Sequence, residues 1–339
     1  MEMILPTDAG LRRAAAVLVS GGLVAFPTET VYGLGGNAWD PRALARIFEA
    51  KRRPAFDPLI VHVADAYSFD LVADLGALAP GARTAARALM EEFWPGPLTL
   101  ILPKRPRVPD LATSGLPTVA VRMPNHPVAR ALIELSTGAV AAPSANPFGY
   151  LSPTRAEHVA DQLGDRVDLI VDGGRCPVGI ESTVVDVTEP SPRILRPGGL
   201  SLERLRDMVP GIEVLDRTDP APKAPGQLVS HYAPRLALHL VPAGALSQVR
   251  PGKRAAALVF DAVGRDRLGD SAARFAAIRT LSEPGDPVEA AAKLFDLLHE
   301  LDSGDFDEVW AERMPDAGLG AAVNDRLYKA SRKPRGDGI

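Results

Sequence analysis

The chain has 339 residues, which is more than one ordinary domain holds and fits two. Hydrophobic residues make up 46% and charged residues 24%, so the composition excludes intrinsic disorder as the main state. Lys plus Arg number 38 against 42 Asp plus Glu, a net charge of −4, whereas a tight and unaided nucleic-acid binder usually carries an excess of basic residues.

The number of cysteines and the distribution of apolar residues indicate where in the cell the protein acts. The single cysteine, Cys176, excludes an intramolecular disulfide and a zinc site built from several cysteines. No basic run precedes an apolar stretch near the N-terminus, and the uncharged stretch 14–28 is too short and too interrupted by Gly and Pro to span a bilayer. We therefore expect a cytoplasmic protein that makes no use of a membrane.

The first 212 residues alternate apolar runs with helical patterns. In chain order we predict a helix over 8–19, a strand over 23–26, a helix over 41–51, a strand over 58–63, a helix over 79–93, strands over 98–102 and 118–123, a helix over 127–135, a strand over 139–142, a helix over 154–163, strands over 168–171, 183–187 and 193–195, and a helix over 202–208. Asp8 and Asp40 are the expected N-caps of the first two helices. Uneven connections and a hairpin near Asp186 favour an α/β domain with a mixed sheet.

The remainder divides into a linker and a smaller domain. The segment 213–235 is rich in Pro, Asp, Thr, Ala and Gly, as an extended linker is, yet it contains the specific run from Gln227 to Tyr232. Strands are predicted over 236–241, 255–260 and 307–312, and helices over 272–281, 287–301 and 317–331. We therefore predict a catalytic domain over 1–212, a linker over 213–235, a small α/β domain over 236–332 and a tail over 333–339.

The common nucleotide-binding and hydrolase motifs are missing. Gly252 and Lys253 lack the earlier glycine and the hydroxyl residue of a Walker loop, and Ala38 stands where a dinucleotide loop has its third glycine. The sequence contains no His-Glu-x-x-His, no Gly-x-Ser-x-Gly and no kinase signature. A nucleotide would therefore need an uncommon site.

Three basic residues stand out by their position. Lys51 continues the helical stripe of Leu44 and Ile47 at spacings of three and four, so it faces the core side. A long cation there, with Arg53 beside it, suits a phosphate in a cleft, although a helix C-terminus also attracts cations through the macrodipole. Arg122 lies between apolar residues of a strand, and it either lies at a solvent-facing edge or binds an anion such as a carboxylate.

Polar residues at strand ends give weaker signals. Thr30 lies in the polar, glycine-bearing turn after the first strand, the small-residue turn 142–146 follows another strand, and Ser182 precedes a third. Turns use the same residues to satisfy their own backbone, so each has a plain structural explanation. His62, in an apolar strand, is more often a satisfied core residue than a ligand.

Together, these segments resemble the L-threonylcarbamoyladenylate synthases, in the long two-domain form of the YrdC-like superfamily. The matching stretches, in family order from 26 to 234, are PTETVYGLG, KRRP with PLIVHV, FWPGPLTLIL, TVAVRMP, APSAN with SPT, ESTVVD, ILRPG and HYAP. The last third has only a general similarity. The resemblance implies a YrdC-like twisted mixed sheet with helices, followed by a smaller Rossmann-like α/β domain.

The resemblance also implies a reaction. L-threonine, bicarbonate and ATP, with Mg²⁺ accompanying ATP, would give L-threonylcarbamoyladenylate and pyrophosphate. Separate transferase proteins would then modify tRNA, which agrees with the absence of a basic half in this chain. No strong direct binding of nucleic acid is then expected.

By motif position, the resemblance implies which residues bind each substrate. The threonine set is Thr30, His62, Arg122, the backbone at Ala142, and Ser182. The ATP set is Arg53, Asp57, Thr118, Ser144, Ser152, Arg196 and Tyr232. Lys51 and Arg53 would neutralise charge on the leaving pyrophosphate, and Tyr232 would make the linker 213–235 a lid over the site.

Two positions depart from the family pattern. Asp57 stands where the family has Asn or Ser, and a carboxylate repels phosphates unless it reaches Mg²⁺ or points away. Phe148 replaces a serine at the expected rim of the site. Both changes bear on the ATP set and leave the implied reaction unaffected.

Two other functions are alternatives. A hydrogenase-maturation carbamoyltransferase contains a related domain, but it would need cysteine-pair zinc fingers, which one cysteine disfavours. An RNA-binding or ribosome-assembly module of the same fold would act without turnover. The even distribution of acidic and basic residues between the two domains disfavours that module.

Overall fold

The computed structural model describes residues 1–215, 224, 226 and 231–332. The chain forms two compact units. The first comprises Met1–Phe148, Ser152–Pro177 and Glu181–Gln227, and the second comprises Gly149–Leu151, Val178–Ile180 and Leu228–Ile339. Two segments of three residues each, Gly149–Leu151 and Val178–Ile180, therefore belong to the second unit although they precede the linker in sequence. No helix in the described ranges is both long enough and apolar enough to cross a membrane.

The first unit contains eight helices and eleven strands within its described residues. The helices are α1 (Asp8–Val19), α2 (Pro41–Lys51), α3 (Ala66–Val72), α4 (Pro80–Phe93), α5 (Asp110–Thr113), α6 (Pro127–Leu135), α7 (Ala156–Leu163) and α8 (Leu202–Met208). The strands are β1 (Glu2–Ile4), β2 (Val24–Phe26), β3 (Gly33–Asn37), β4 (Ile60–Val63), β5 (Leu98–Pro103), β6 (Thr118–Arg122), β7 (Ala139–Ala141), β8 (Leu169–Val171), β9 (Thr183–Asp186), β10 (Arg193–Arg196) and β11 (Glu213–Val214).

These strands form one mixed sheet in the order β1-β8-β2-β3-β7-β4-β6-β5-β9-β10-β11. Neighbours β4 and β6 are parallel, as are β5 and β9, whereas β5 and β6 are antiparallel. The hairpin expected near Asp186 is the antiparallel pair of β9 and β10. The predicted α/β class and the mixed sheet are thus confirmed.

The two faces of the sheet bury different side chains, because residues alternate along a strand. Val119 and Val121 of β6 belong to a large apolar cluster that α2 and α4 share. The other face carries a smaller apolar cluster, formed by Ala120 with Ile60, Ile101, Val184 and Ala224. Arg122 follows Ala120 by two residues, so it extends this second face.

The predicted lid over 213–235 is described only in part. Residues 216–223, 225 and 227–230 lie outside the described residues, as does the predicted tail 333–339. Ala224 is fully buried in the smaller apolar cluster of the first unit. In the second unit, Tyr232 is buried with a φ of 61°, and its ring centroid lies 4.8 Å from the Arg326 guanidinium carbon and 5.8 Å from the Phe295 ring centroid.

Helix starts follow their capping residues. Asp40 caps α2 as predicted, because its carboxylate accepts the Arg42 N–H and Pro41 occupies the first turn. The prediction of Asp8 as the cap of α1 is wrong. Thr7 is extended and its hydroxyl accepts the Gly10 N–H over 3.1 Å, so Asp8 lies in the first turn instead.

The segment expected to be a glycine-bearing turn contains a strand. Residues Gly33–Asn37 form β3, which pairs with β2 and β7. A Cβ atom at Gly35 would lie 2.7 Å from Cε1 of Phe26. The glycines of β3 therefore allow close packing against the neighbouring strand, in addition to any role in a turn.

The second unit contains a sheet of four parallel strands. Its elements are β12 (Ala237–Val241), β13 (Ala255–Val259), α9 (Ala262–Arg267), β14 (Ala277–Thr280), α10 (Pro287–Ser303), β15 (Glu308–Glu312) and α11 (Gly320–Ser331). The strand order is β12-β15-β13-β14. The helix predicted over 272–281 is wrong, since Gly269–Arg274 is a 3₁₀ turn and β14 pairs along β13. Pairing in the sheet overrides the helix propensity of that alanine-rich stretch.

Candidate active site

A buried arginine at the end of β6 brings several polar groups together. Arg122 is 3% exposed, which excludes the solvent-facing alternative. Its Nη1 donates to the Thr30 hydroxyl over 2.8 Å, and its Nε donates to the Gly96 carbonyl over 3.2 Å. Its Nη2 lies 2.7 Å from Oε1 of Glu29. The guanidinium is thus fixed at the end of the strand and available to an anion.

The turn after β2 positions Thr30. The Thr28 hydroxyl donates to the Val31 carbonyl over 2.7 Å and accepts the N–H groups of Thr30 and Val31. These bonds satisfy the backbone of the turn, as the plain structural explanation requires. The Thr30 hydroxyl also lies 2.8 Å from that of Thr28 and accepts from Arg122, so it belongs to the arginine's polar network.

Ser182 connects this network to a second arginine. Thr99 lies opposite Arg122 in the antiparallel pair of β5 and β6, and its hydroxyl is 2.7 Å from the Ser182 hydroxyl. Arg196 donates through Nη2 to the Ser182 carbonyl over 2.8 Å and to its hydroxyl over 3.1 Å. Ser182 therefore lies between the surroundings of Arg122 and those of Arg196.

His62 is the neighbour of Arg122 in the parallel pair of β4 and β6. Burial lowers its pKa to about 3, and the positive charge of Arg122 acts in the same direction. The imidazole is therefore neutral at neutral pH, and it can exchange hydrogen bonds with a ligand without adding charge.

Lys51 points into the protein from the last turn of α2. It is 1% exposed, and its Nζ donates to the carbonyls of Ser144 and Asn146 in the turn after β7. Burial holds its pKa well below the ordinary value, and the charge of Arg53 adds to this effect. This buried position agrees with the prediction that Lys51 continues the core-facing side of α2. Attraction to the helix dipole alone would leave its amine in solvent.

Arg53 and Asp57 form a buried ion pair beside Lys51. Arg53 Nη2 lies 2.8 Å from Oδ2 of Asp57, and the guanidinium also donates to the carbonyls of Asp57 and Pro58. Burial raises the pKa of Asp57, and the charges of Arg53, Lys51 and Arg196 oppose that rise. Three basic side chains thus act on the Asp57 carboxylate, of which Arg53 contacts it directly. The Phe148 ring centroid lies 5.9 Å from the Arg53 guanidinium carbon.

The other predicted residues lie at varied places. Ser152 donates its hydroxyl to the Glu181 carboxylate, whose charge acts on Lys51. Ser144 contacts Lys51 through its carbonyl, and the N–H of Ala142 donates to the Ile60 carbonyl over 2.9 Å. Thr118 begins β6, four residues before Arg122, so it is about 13 Å away along the strand.

The structure therefore gathers most of the predicted residues in the first unit. One continuous series of contacts and charge interactions runs through Thr30, Arg122, Thr99, Ser182, Arg196, Asp57, Arg53 and Lys51. Ser144 and Ser152 adjoin its Lys51 end, whereas Thr118 is remote from its Arg122 end. Tyr232 belongs to the second unit, so its place in the ATP set stays a prediction.

Comparison with known proteins gives matches along both units. A family model described as "Telomere recombination" matches residues 16–198, and one described as "Threonylcarbamoyl-AMP synthase, C-terminal domain" matches residues 200–332. The threonylcarbamoyl-AMP synthase of Pyrococcus abyssi is 45% identical over 326 residues, which cover 95% of this chain and 94% of that protein. The chain belongs to the threonylcarbamoyl-AMP synthase family.

Further members of the threonylcarbamoyl-AMP synthase family agree with this. The Bacillus subtilis protein of that name is 40% identical over 336 residues, covering 96% of this chain and 93% of the relative. The crystal structure of P. abyssi Sua5 complexed with L-threonine matches with a TM-score of 0.85 and 39% identity, covering 97% of this chain and 96% of that one. The chain is therefore an enzyme of this family, as the resemblance implied.

Sequence reasoning missed three polar residues of the site. Glu29, Thr99 and Glu181 all lie within the motifs shared with the threonylcarbamoyl-AMP synthase family, but none was selected. Strand alternation could have found Thr99, since it shares a face with Ile101 and lies opposite Arg122. Glu29 and Glu181 are acidic residues among basic residues that are predicted to bind anions. Their opposite charge could have identified them as residues of the site.

Proposed function

We propose that this protein condenses L-threonine, bicarbonate and ATP into L-threonylcarbamoyladenylate and pyrophosphate. The product would supply the threonylcarbamoyl group for the modification of tRNA, which separate transferase proteins would complete. We propose a cytoplasmic setting, where tRNA is modified. The protein would need no tight contact with tRNA itself, in keeping with its acidic balance.

The observation that supports this proposal is the connection of two anion-binding groups within one unit. Arg122 with Thr30 suits an amino-acid carboxylate, and Lys51 with Arg53 suits a polyphosphate. Ser182 and Arg196 lie between them. An enzyme that joins an amino acid to the α-phosphorus of ATP needs these two kinds of group side by side.

The residues of the threonine set would hold and orient the amino acid. Arg122 would bind the carboxylate, and the neutral His62 and the hydroxyls of Thr30 and Ser182 would fix its position. Threonine's ammonium loses a proton to solvent, and the resulting amine and bicarbonate give a carbamate and water. A carbamate oxygen then attacks the α-phosphorus, and pyrophosphate leaves. The carbamate is already anionic, so the reaction depends more on position than on a general base.

The cations would act on the leaving group. Pyrophosphate departs with growing negative charge, which Lys51 and Arg53 would offset from a buried position where electrostatic interactions are strong. A bound triphosphate would also favour the charged form of Lys51, whose pKa burial otherwise depresses. We keep Asp57, Thr118, Ser144, Ser152, Arg196 and Tyr232 as the proposed further contacts of ATP.

Mg²⁺ would accompany the triphosphate and neutralise part of its charge. Mg²⁺ usually binds substrate phosphates with one or two carboxylates and several waters. Asp57 and Glu181 fit that need, because both are buried carboxylates whose charges act on Lys51. Asp57, which stands where the family has Asn or Ser, would then bind the metal and would give up its ion pair with Arg53.

The test is pyrophosphate release by the purified full-length protein. We expect pyrophosphate to be released from ATP only when both threonine and bicarbonate are present. Lys51→Ala should lower the rate of this release at least about 100-fold, while a cooperative thermal unfolding transition shows that the variant is folded. Turnover that ignores threonine would contradict the proposal. Tight RNA binding without turnover would favour the RNA-binding module instead.

A further inference from the structure

Glu29 places a buried carboxylate next to the arginine of the proposed threonine set. Its side chain is 7% exposed, and neither carboxylate oxygen accepts a hydrogen bond from the described residues. Arg122 Nη2 is 2.7 Å away, yet the contact is not aligned as a hydrogen bond, because Nη2 also has no acceptor among those residues. A carboxylate removed from water without aligned donors is costly to keep.

The surroundings of Glu29 leave its charge incompletely satisfied. Arg122 already gives Nη1 to Thr30 and Nε to Gly96, so only Nη2 faces the carboxylate. His126 is a second titratable group whose charge Glu29 influences, but burial lowers the pKa of that histidine and disfavours its charged form. The Nδ1 atom of His126 is likewise buried without a partner in the described part of the chain.

The Glu29 carboxylate and Arg122 Nη2 therefore present one negative and one positive group 2.7 Å apart, and neither has a hydrogen-bond partner among the described residues. An α-amino acid carries the complementary pair, an ammonium and a carboxylate on the same carbon. Such a ligand offers an N–H donor to Glu29 and an oxygen acceptor to Arg122 Nη2. It would replace one poorly aligned ion pair by two aligned, charge-assisted hydrogen bonds.

We propose that Glu29 binds the ammonium group of L-threonine while Arg122 binds its carboxylate. This inference rests on the proposed function and adds to it the residue that requires the substrate to be an α-amino acid. In the free enzyme the two side chains hold each other in place, and the substrate exchanges that contact for its own two ends.

The experiment measures binding by calorimetry to the full-length protein, without ATP or bicarbonate. The two ligands are L-threonine and the matching 2,3-dihydroxybutanoate, in which a hydroxyl replaces the ammonium. We expect the wild-type protein to bind threonine at least about 10-fold more tightly than the dihydroxy acid. Glu29→Gln should weaken threonine binding by about 10- to 100-fold and leave binding of the dihydroxy acid nearly unchanged.

A matched control removes another carboxylate that is paired with an arginine. Asp168 pairs with Arg46 and accepts the Leu23 N–H, at the end of β2 opposite to Glu29. Asp168→Asn should lower the unfolding temperature and leave threonine binding unchanged. Glu29→Asp retains the charge one methylene shorter, so it should keep the preference for threonine while binding it less tightly.

Three outcomes would overturn the inference. The first is a wild-type protein that binds both acids equally, a result that requires no variant to fold. The second is a Glu29→Gln variant that retains the wild-type preference, and the third is equal weakening for both acids, which would mean that Glu29 acts only by holding Arg122. Threonine binding without any threonine-dependent pyrophosphate release would instead reject the proposed function and leave the ammonium contact standing.

Discussion

His62 and Lys51 show how burial alters single side chains of the first unit. Both have pKa values below their ordinary range, because loss of water disfavours their charged forms and a nearby arginine adds to the effect. An incoming carboxylate or triphosphate reverses part of that effect. Binding of a triphosphate would thus favour the charged form of Lys51, whereas His62 stays neutral at neutral pH.

The depressed pKa of His62 predicts an acid-sensitive stability. Between the ordinary value of 6.5 and the folded value of about 3, the unfolded chain binds a proton that the folded chain does not, so stability falls as pH falls below 6.5. From pH 7 to pH 5 this group should account for about 2 kcal/mol of lost unfolding free energy. Urea titrations should therefore show that His62→Gln loses less stability over this range than the wild-type protein.

Ile60→Val is the matched control, because Ile60 shares strand β4 and its face with His62 and carries no titratable group. It should lower the unfolding free energy by about 1 kcal/mol at every pH. Identical pH profiles for His62→Gln and the wild-type protein would contradict the pKa assigned to His62.

At the scale of elements, the amphipathic helices were the easiest to predict. Helices α1, α2, α6 and α8 have the predicted limits, since apolar periodicity and Pro, Asp or Ser at their starts are local signals. Strand β3 was missed because glycine is typical of turns. Its glycines leave room for Phe26, which only the pairing of β2 with β3 brings near. Strand β14 was missed because its pairing partner β13 is distant in sequence, with Ala256 opposite Ala277, 21 residues later.

A glycine of the second unit gives a prediction at this scale. Gly179 has a φ of 76°, and a Cβ atom there would lie 2.5 Å from the Cα and carbonyl oxygen of Ala292 in α10. Gly179→Ala should therefore combine backbone strain with a clash that backbone atoms cannot relieve, at a cost of about 2–5 kcal/mol in unfolding free energy. Thermal or denaturant unfolding of the full-length protein measures this loss.

Gly149→Ala is the control for the strain alone. Gly149 also belongs to the second unit and has a φ of 83°, but a Cβ atom there would meet nothing within 4 Å. The expected cost is only about 1–2 kcal/mol. Equal costs for the two substitutions would show that contact with α10 does not restrict Gly179.

At the scale of the whole molecule, the motif order predicts which residues form the site but not how they meet. Sequence patterns predict Arg122 and Ser182 as separate binding residues. The contact between their surroundings, through Thr99, depends on β5 lying between β6 and β9. That strand order is set by long-range pairing, which local patterns do not encode. The same limit applies to Glu29, whose importance depends on its distance from Arg122.

Removal of residues 213–339 tests the contribution of the second unit. Tyr232 is lost, and so are the contacts that the second unit makes with its own short segments, Gly149–Leu151 and Val178–Ile180. We expect the shortened protein to keep a cooperative unfolding transition, because the large apolar cluster lies entirely within residues 1–212. ATP affinity should fall at least about 10-fold, and proteases should cut the two segments faster.

Tyr232→Ala in the full-length protein separates the side chain from the rest of that unit. It should reproduce the loss of ATP affinity without the faster cleavage. Unchanged ATP affinity in both proteins would reject Tyr232 as an ATP contact.

The sheet order has a consequence for the nascent chain. Strands β1 and β2 pair with β8, and β5 pairs with β9. These pairings can form only after the ribosome has added more than 80 further residues. Such non-local pairing slows folding and leaves strand edges exposed in the meantime. Thr30 and Arg122 can meet once the first 122 of the 339 residues have been made, whereas the connection between Ser182 and Arg196 forms only after residue 196 has emerged.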